Sequence, residues 1–199
     1  VTTYLDSLAT ESNFKVRSNN GLDHSFLHLA THGILDETRP INSYLALYRD
    51  SINDGKLTIK ELYNTMINAD IAIINACNSA LGSERSGFGI TSLKNAFSFS
   101  GCKTILSNLW EVDEKESNRL LSMFYDELGG HTTISDAIFN AREKYLQNSP
   151  VELQHPYYWA GMILYGDDLT VPRTHSWSTL ALLALMMITL VTYTIWRIK

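Results

Sequence analysis

Residues 71–82 read IAIINACNSALG, and this stretch decides the fold. Its first six positions, Ile71–Ala76, are an uncharged run rich in β-branched residues, the pattern of a buried strand. The run stops at Cys77, and a loop with three glycines follows over Leu81–Gly89. A second run, Phe26–Thr31 (FLHLAT), has the same character and stops at His32 and Gly33. Short apolar runs of this kind alternate with helical stretches along the chain. The expected class is therefore α/β, with a mostly parallel central sheet flanked by helices.

Working outward, Tyr44–Tyr48 and Lys56–Thr58 flank a turn on Asn53, Asp54 and Gly55 and predict a hairpin. Thr58 is placed to cap a helix running to about Met66. A helix is expected over Ile90–Phe99 and a strand over Lys103–Leu109. Asp113 and Glu116 fit a capping box, and the helix they open should reach Leu128, before Gly129 and Gly130. Thr133 caps the next helix, whose apolar stripe is Ile134, Ala137, Ile138, Ala141 and Tyr145. Tyr157–Tyr165 (YYWAGMILY) reads as a last strand.

Composition narrows the function. In 199 residues, 16 basic side chains face 21 acidic ones, a formal net charge of -5 with no basic cluster, so nucleic acid is not the expected partner. The two cysteines, Cys77 and Cys102, make no disulfide framework and no zinc-type CxxC pair. Neither a metal nor a cofactor is expected, and no phosphate loop or GxSxG elbow is present. From Trp177 to Trp196 there are 20 residues without a charge, with Arg197 and Lys199 beyond them. At about 1.5 Å per residue such a stretch spans roughly 30 Å, the thickness of a bilayer core. The expectation is a single-pass transmembrane helix at 177–196, a linker at 169–176 and a basic tail at 197–199. The folded domain, 1–168, is expected on the cytoplasmic side of that membrane, where thiols stay reduced.

Two polar residues stand where core strands run out: His32, in HLATHG, and Cys77, in IINACNSALG. Parallel sheets bind ligands at the carboxyl ends of their strands. A His and a Cys meeting there suit nucleophilic catalysis, in which the His takes the thiol proton and the thiolate attacks a carbonyl. The backbone N–H groups of Gly33 and Cys77 would form the oxyanion hole. Taken singly these signals are weak, because a Cys ending an apolar strand is more often an inert core residue. Cys102 reads as a structural thiol. His28 and His32 lie about 13 Å apart on a strand, too far to share a metal ion, and His28 reads as structural. Asn75, two before Cys77, lies on the same side of its strand.

The order HLATHG, NACNSALG, GFGITSLKNAF, SNLWEVDE, FYDEL and HPYYWAGMILYGD closely resembles the CHAT domain family, caspase-like domains of the clan of caspases, metacaspases and separase. The resemblance covers Ala9 to Asp168. It implies a caspase-type α/β sandwich and cysteine endopeptidase activity on protein substrates, with His32 and Cys77 as the catalytic pair. It places Asn75 on the wall of the substrate pocket, where metacaspases carry an Asp, and Glu111 and Asp113 at the groove edge. From these carboxylates we expect cleavage after Lys or Arg. Asp113 has capping as its competing role, and Trp110 either lines the groove or packs. Such domains have a strand ahead of the segment that here reads LATESNFK (residues 8–15), so a longer protein with repeats upstream is expected. The alternative is a non-catalytic interaction or signalling module on the same fold.

Overall fold

The computed structural model describes residues 2–19, 26–36, 38–77, 88–128 and 132–171. The first helix, α1 (Glu11–Asn19), leads into β1 (Phe26–Ile34). The hairpin β2 (Tyr44–Ala46) and β3 (Lys56–Thr58) follows, then a single helical turn, α2 (Ile59–Leu62), and β4 (Ile71–Cys77). Next come α3 (Phe88–Phe99), β5 (Thr104–Asn108), α4 (Glu114–Glu127), the short β6 (Thr132–Thr133) and α5 (Ile134–Gln147). The described chain closes with α6 (Pro156–Trp159), β7 (Met162–Gly166) and β8 (Thr170–Val171), the last paired with β6.

The main sheet has six strands in the order β3-β2-β1-β4-β5-β7. Its centre, β1-β4-β5, is parallel, while β2 joins β1, β3 joins β2 and β7 joins β5 antiparallel. The expectation of a mostly parallel sheet is thus corrected to a mixed one with a parallel centre. Gly55 (φ +80°) makes the hairpin turn possible, since a Cβ there would meet the Leu47 carbonyl oxygen at 2.5 Å.

Two apolar cores sit on the two faces. One joins Leu45, Leu57, Ala72, Ile74 and Ile105 of the sheet to Ala96 and Phe97 of α3. The other joins Ile71, Ile73 and Leu106 to the inner sides of α4 and α5, including Leu120, Phe124, Ile138 and Tyr145. The alternation along β4 therefore feeds both cores, as a strand covered on both faces must. Thr58 caps α2 through a full capping box with Glu61, but the helix stops after one turn, well short of Met66. Thr133 caps α5 by accepting from the Asp136 N–H, and all five stripe residues of α5 are buried. The expected last strand is also shorter. Pro156 opens a helical turn capped by His155, and the strand begins only at Met162.

The expectation of a transmembrane helix is corrected. Among the described residues no helix is long and apolar enough to cross a membrane. The stretch 177–196 on which that expectation rested, with its linker from 172 and its basic tail, lies outside the described residues. The expected membrane partner and single-pass location rested on that helix, and no described helix supports them.

Candidate functional site

The carboxyl ends of β1 and β4 meet as the two sequence runs require. The ladder runs in register from Phe26 opposite Ile71 to His32 opposite Cys77. Adjacent strands lie about 4.8 Å apart, so the backbone brings the expected pair together at one sheet end. For Cys77 it is the backbone that the ladder fixes. His32 is exposed and Gly33 is buried. Among the described residues, no hydrogen bond fixes the His32 ring.

Asn75 joins a polar network that ties the end of β4 to β5 and α4. Its Oδ1 accepts from Ser117 Oγ at 3.1 Å and from Asn108 Nδ2 at 3.4 Å, and its Nδ2 donates to Asn118 Oδ1 at 3.1 Å. Asn108 and Ser117 are buried. Sequence reasoning missed these three partners. Only the end of the SNL run at Asn108 hints at them, since the contact of Asn75 with α4 crosses more than forty residues of chain. Asp113 is the N-cap of α4 and accepts from the Glu116 N–H at 3.1 Å. Glu116 does not complete a capping box. Its carboxylate accepts instead from Tyr145 Oη at 2.8 Å and from Arg119 at 3.4 Å. Glu111 is exposed on the segment between β5 and α4. Trp110 packs on Gly161 and donates from Nε1 to the Tyr157 carbonyl at 2.9 Å.

Cys102 is buried against the Ile67 carbonyl, and burial pushes its thiol up to about 12. It is unsuited to thiolate chemistry. His28 lies on the exposed side of β1 with its ring 5.9 Å from that of Tyr125. Loop residues 78–87, which include Arg85, lie outside the described residues.

A sheet with a parallel centre, helices on both faces and His32 in register with Cys77 at the strand ends defines an α/β domain. Residues 1–167 match the CHAT domain family, and the chain belongs to it. That membership makes it a relative of the cysteine peptidases of the caspase clan. The chain is also similar to tetratricopeptide repeat protein 28 of Homo sapiens, with 26% identity over 113 residues, 57% of this chain and 4% of that protein. The Mus musculus protein of the same name is 27% identical over 113 residues, again 57% of this chain and 4% of that protein. The chain thus spans only a small part of these relatives.

The expectation of a membrane-anchored endopeptidase is corrected at this point. No membrane-crossing helix stands among the described residues.

Proposed function

We propose that this chain is a caspase-fold interaction or signalling module that works by binding a partner. The observation that carries this reading is the outer side of β1, where Phe26, His28, Ala30, His32 and Ile34 are all exposed along one strand of the sheet. Core strands of α/β domains are ordinarily covered on both faces, and an open one is a surface for a partner. The internal engagement of Asn75 and Asp113 supports the same reading. The repeat-containing relatives suggest a place within a larger multidomain protein.

The test compares the partners crosslinked to the wild-type chain and to a His32→Ala, Cys77→Ala double variant in the source cells. The same partners in the same amounts are expected. Partners that are cleaved, and cleaved only by the wild type, would overturn the reading.

A second reading is favoured by one observation, the register of His32 with Cys77. In it the chain is a thiol hydrolase of caspase type. His32 would be the base, Cys77 the nucleophile, Gly33 and Cys77 the oxyanion donors, and Asn75, Glu111 and Asp113 the substrate contacts.

A further inference from the structure

The two edges of the main sheet are finished differently. At β3 the outward N–H groups are taken by neighbouring side chains. Lys56 N–H donates to Asp54 Oδ1 and Thr58 N–H to Glu61 Oε2, both at 3.0 Å. An edge closed in this way is a poor template for a further strand. At β7 the edge is open. Leu109 N–H donates to the Gly161 carbonyl at 2.8 Å and Asp167 N–H to the Lys103 carbonyl at 3.1 Å, so alternate residues from Gly161 to Asp167 are bonded to β5. Met162, Leu164 and Gly166 lie between them and turn their N–H and C=O groups away from the sheet. Among the described residues, the hydrogen bond on this outward row is that of the Arg142 guanidinium to the Met162 carbonyl. The strand itself, MILYG, carries none of the charge or proline that blunts an exposed edge.

The charges beside this edge are of opposite sign at its two ends. Arg142 of α5 lies at the Met162 end and makes no ion pair among the described residues. Asp167 follows Gly166 at the other end, exposed, and no described residue bonds its carboxylate. The remaining charged neighbours are engaged or turned aside. The Ser135 N–H donates to Asp168 at 2.9 Å, Lys103 pairs with Asp70 at 2.7 Å, and Lys94 Nζ lies 3.6 Å from the centre of the Tyr165 ring on the α3 side. Asp136 and Glu143 stand further round α5 from Arg142 than Phe139 does.

A two-fold axis at Leu164 turns the two ends onto each other. Antiparallel pairing about it sets Leu164 against Leu164 of a second copy, each donating its N–H to the other's carbonyl, and sets Met162 against Gly166. Ile163 then faces Tyr165 across the strands, apolar on apolar. Arg142 of each copy comes beside Asp167 of the other. Phe139, 59% exposed, stands on α5 between Ser135, which bonds Asp168, and Arg142, which bonds Met162, and borders the same edge. A contact between identical copies requires this self-complementarity, whereas a foreign strand does not call for it.

We infer that the outer edge of β7 is a dimerisation edge, on which a second copy of this chain pairs antiparallel about a two-fold axis at Leu164 and continues the sheet. The inference goes beyond the reading of the His32–Cys77 end and does not depend on it.

The experiment is sedimentation equilibrium of the full chain in a mild detergent, which keeps the uncharged stretch 177–196 from associating by itself. A dimer is expected. Ile163→Lys sets a cation beside the second copy's Lys94, over Tyr165, and should raise the dissociation constant at least ~10-fold. Asp167→Arg sets like charges together at both ends and should do the same. Phe139→Lys, at an exposed position, replaces Ile163→Lys if that variant loses the wild-type urea midpoint. Mild oxidation of Leu164→Cys should crosslink two copies at that position, because facing residues of a bonded antiparallel pair have Cα atoms about 5.5 Å apart. A chain still monomeric at about 100 μM would overturn the inference. So would a dimer indifferent to these charge substitutions, or an oxidised Leu164→Cys protein with no bridge at position 164.

Discussion

His32 stands directly opposite Cys77 across the parallel ladder of β1 and β4, and theirs is the last pair of that ladder. Neighbouring strands are about 4.8 Å apart, within the span a disulfide bridges. A His32→Cys variant should therefore form a disulfide with Cys77 under mild oxidation. His28→Cys, about 13 Å back along the strand, should not. Thiol titration and peptide mapping read the result. A bridge from position 28 in preference to position 32 would contradict the register.

The Glu116 carboxylate, with its side chain 6% exposed, gathers Tyr145 and Arg119 between α4 and α5. Arg119 also donates to Ser149 Oγ at 3.1 Å and to the Asn148 carbonyl at 2.6 Å. Glu116→Ala removes the shared acceptor, and a loss on the order of 3 kcal/mol in urea unfolding is expected. Tyr145→Phe removes one hydrogen bond and should cost about 1 kcal/mol. A loss below ~0.5 kcal/mol for Glu116→Ala would show that the network does not hold the two helices together.

Acid should weaken the contact between α1 and α2, which Lys15 and Glu61 make at 2.9 Å. Burial pushes Glu61 up, but hydrogen bonds from Thr58 and Lys15 outweigh it and hold the carboxyl down at about 2. A depressed carboxyl contributes stability that is present above its unfolded value, near 4.5, and lost as pH falls toward 2. Glu11 moves the opposite way, raised mainly by burial, so its contribution is lost as pH rises. Glu61→Gln should flatten the decline of stability between pH 4.5 and about 2. An unchanged slope in that variant, followed by urea unfolding at stepped pH, would contradict the assignment.

The elements set by local pattern were legible in the sequence. The β-branched run Ile71–Ala76, the turn at Asn53–Gly55 and the stripe from Ile134 to Tyr145 appear as a strand, a hairpin and a buried helix face. What depends on distant partners was not. Nothing in MILYG says that this strand joins β5 antiparallel, because an apolar strand reads the same in either direction. The aromatic run at Tyr157 has strand propensity, and the packing of Trp159 against the second core and the cap at His155 override it. At the site, the spacing of Asn75 and Cys77 placed both on one side of β4. The partners of Asn75 come from another helix and another strand, and no spacing rule reaches them.

The central claim is that the chain binds a partner and that its work does not pass through Cys77. A peptide-library cleavage profile of the wild type against Cys77→Ala tests it most directly, with Cys102→Ala as the control for the buried thiol. The account predicts superimposable profiles for all three. Cleavage by the wild type and by Cys102→Ala that disappears in Cys77→Ala would contradict it.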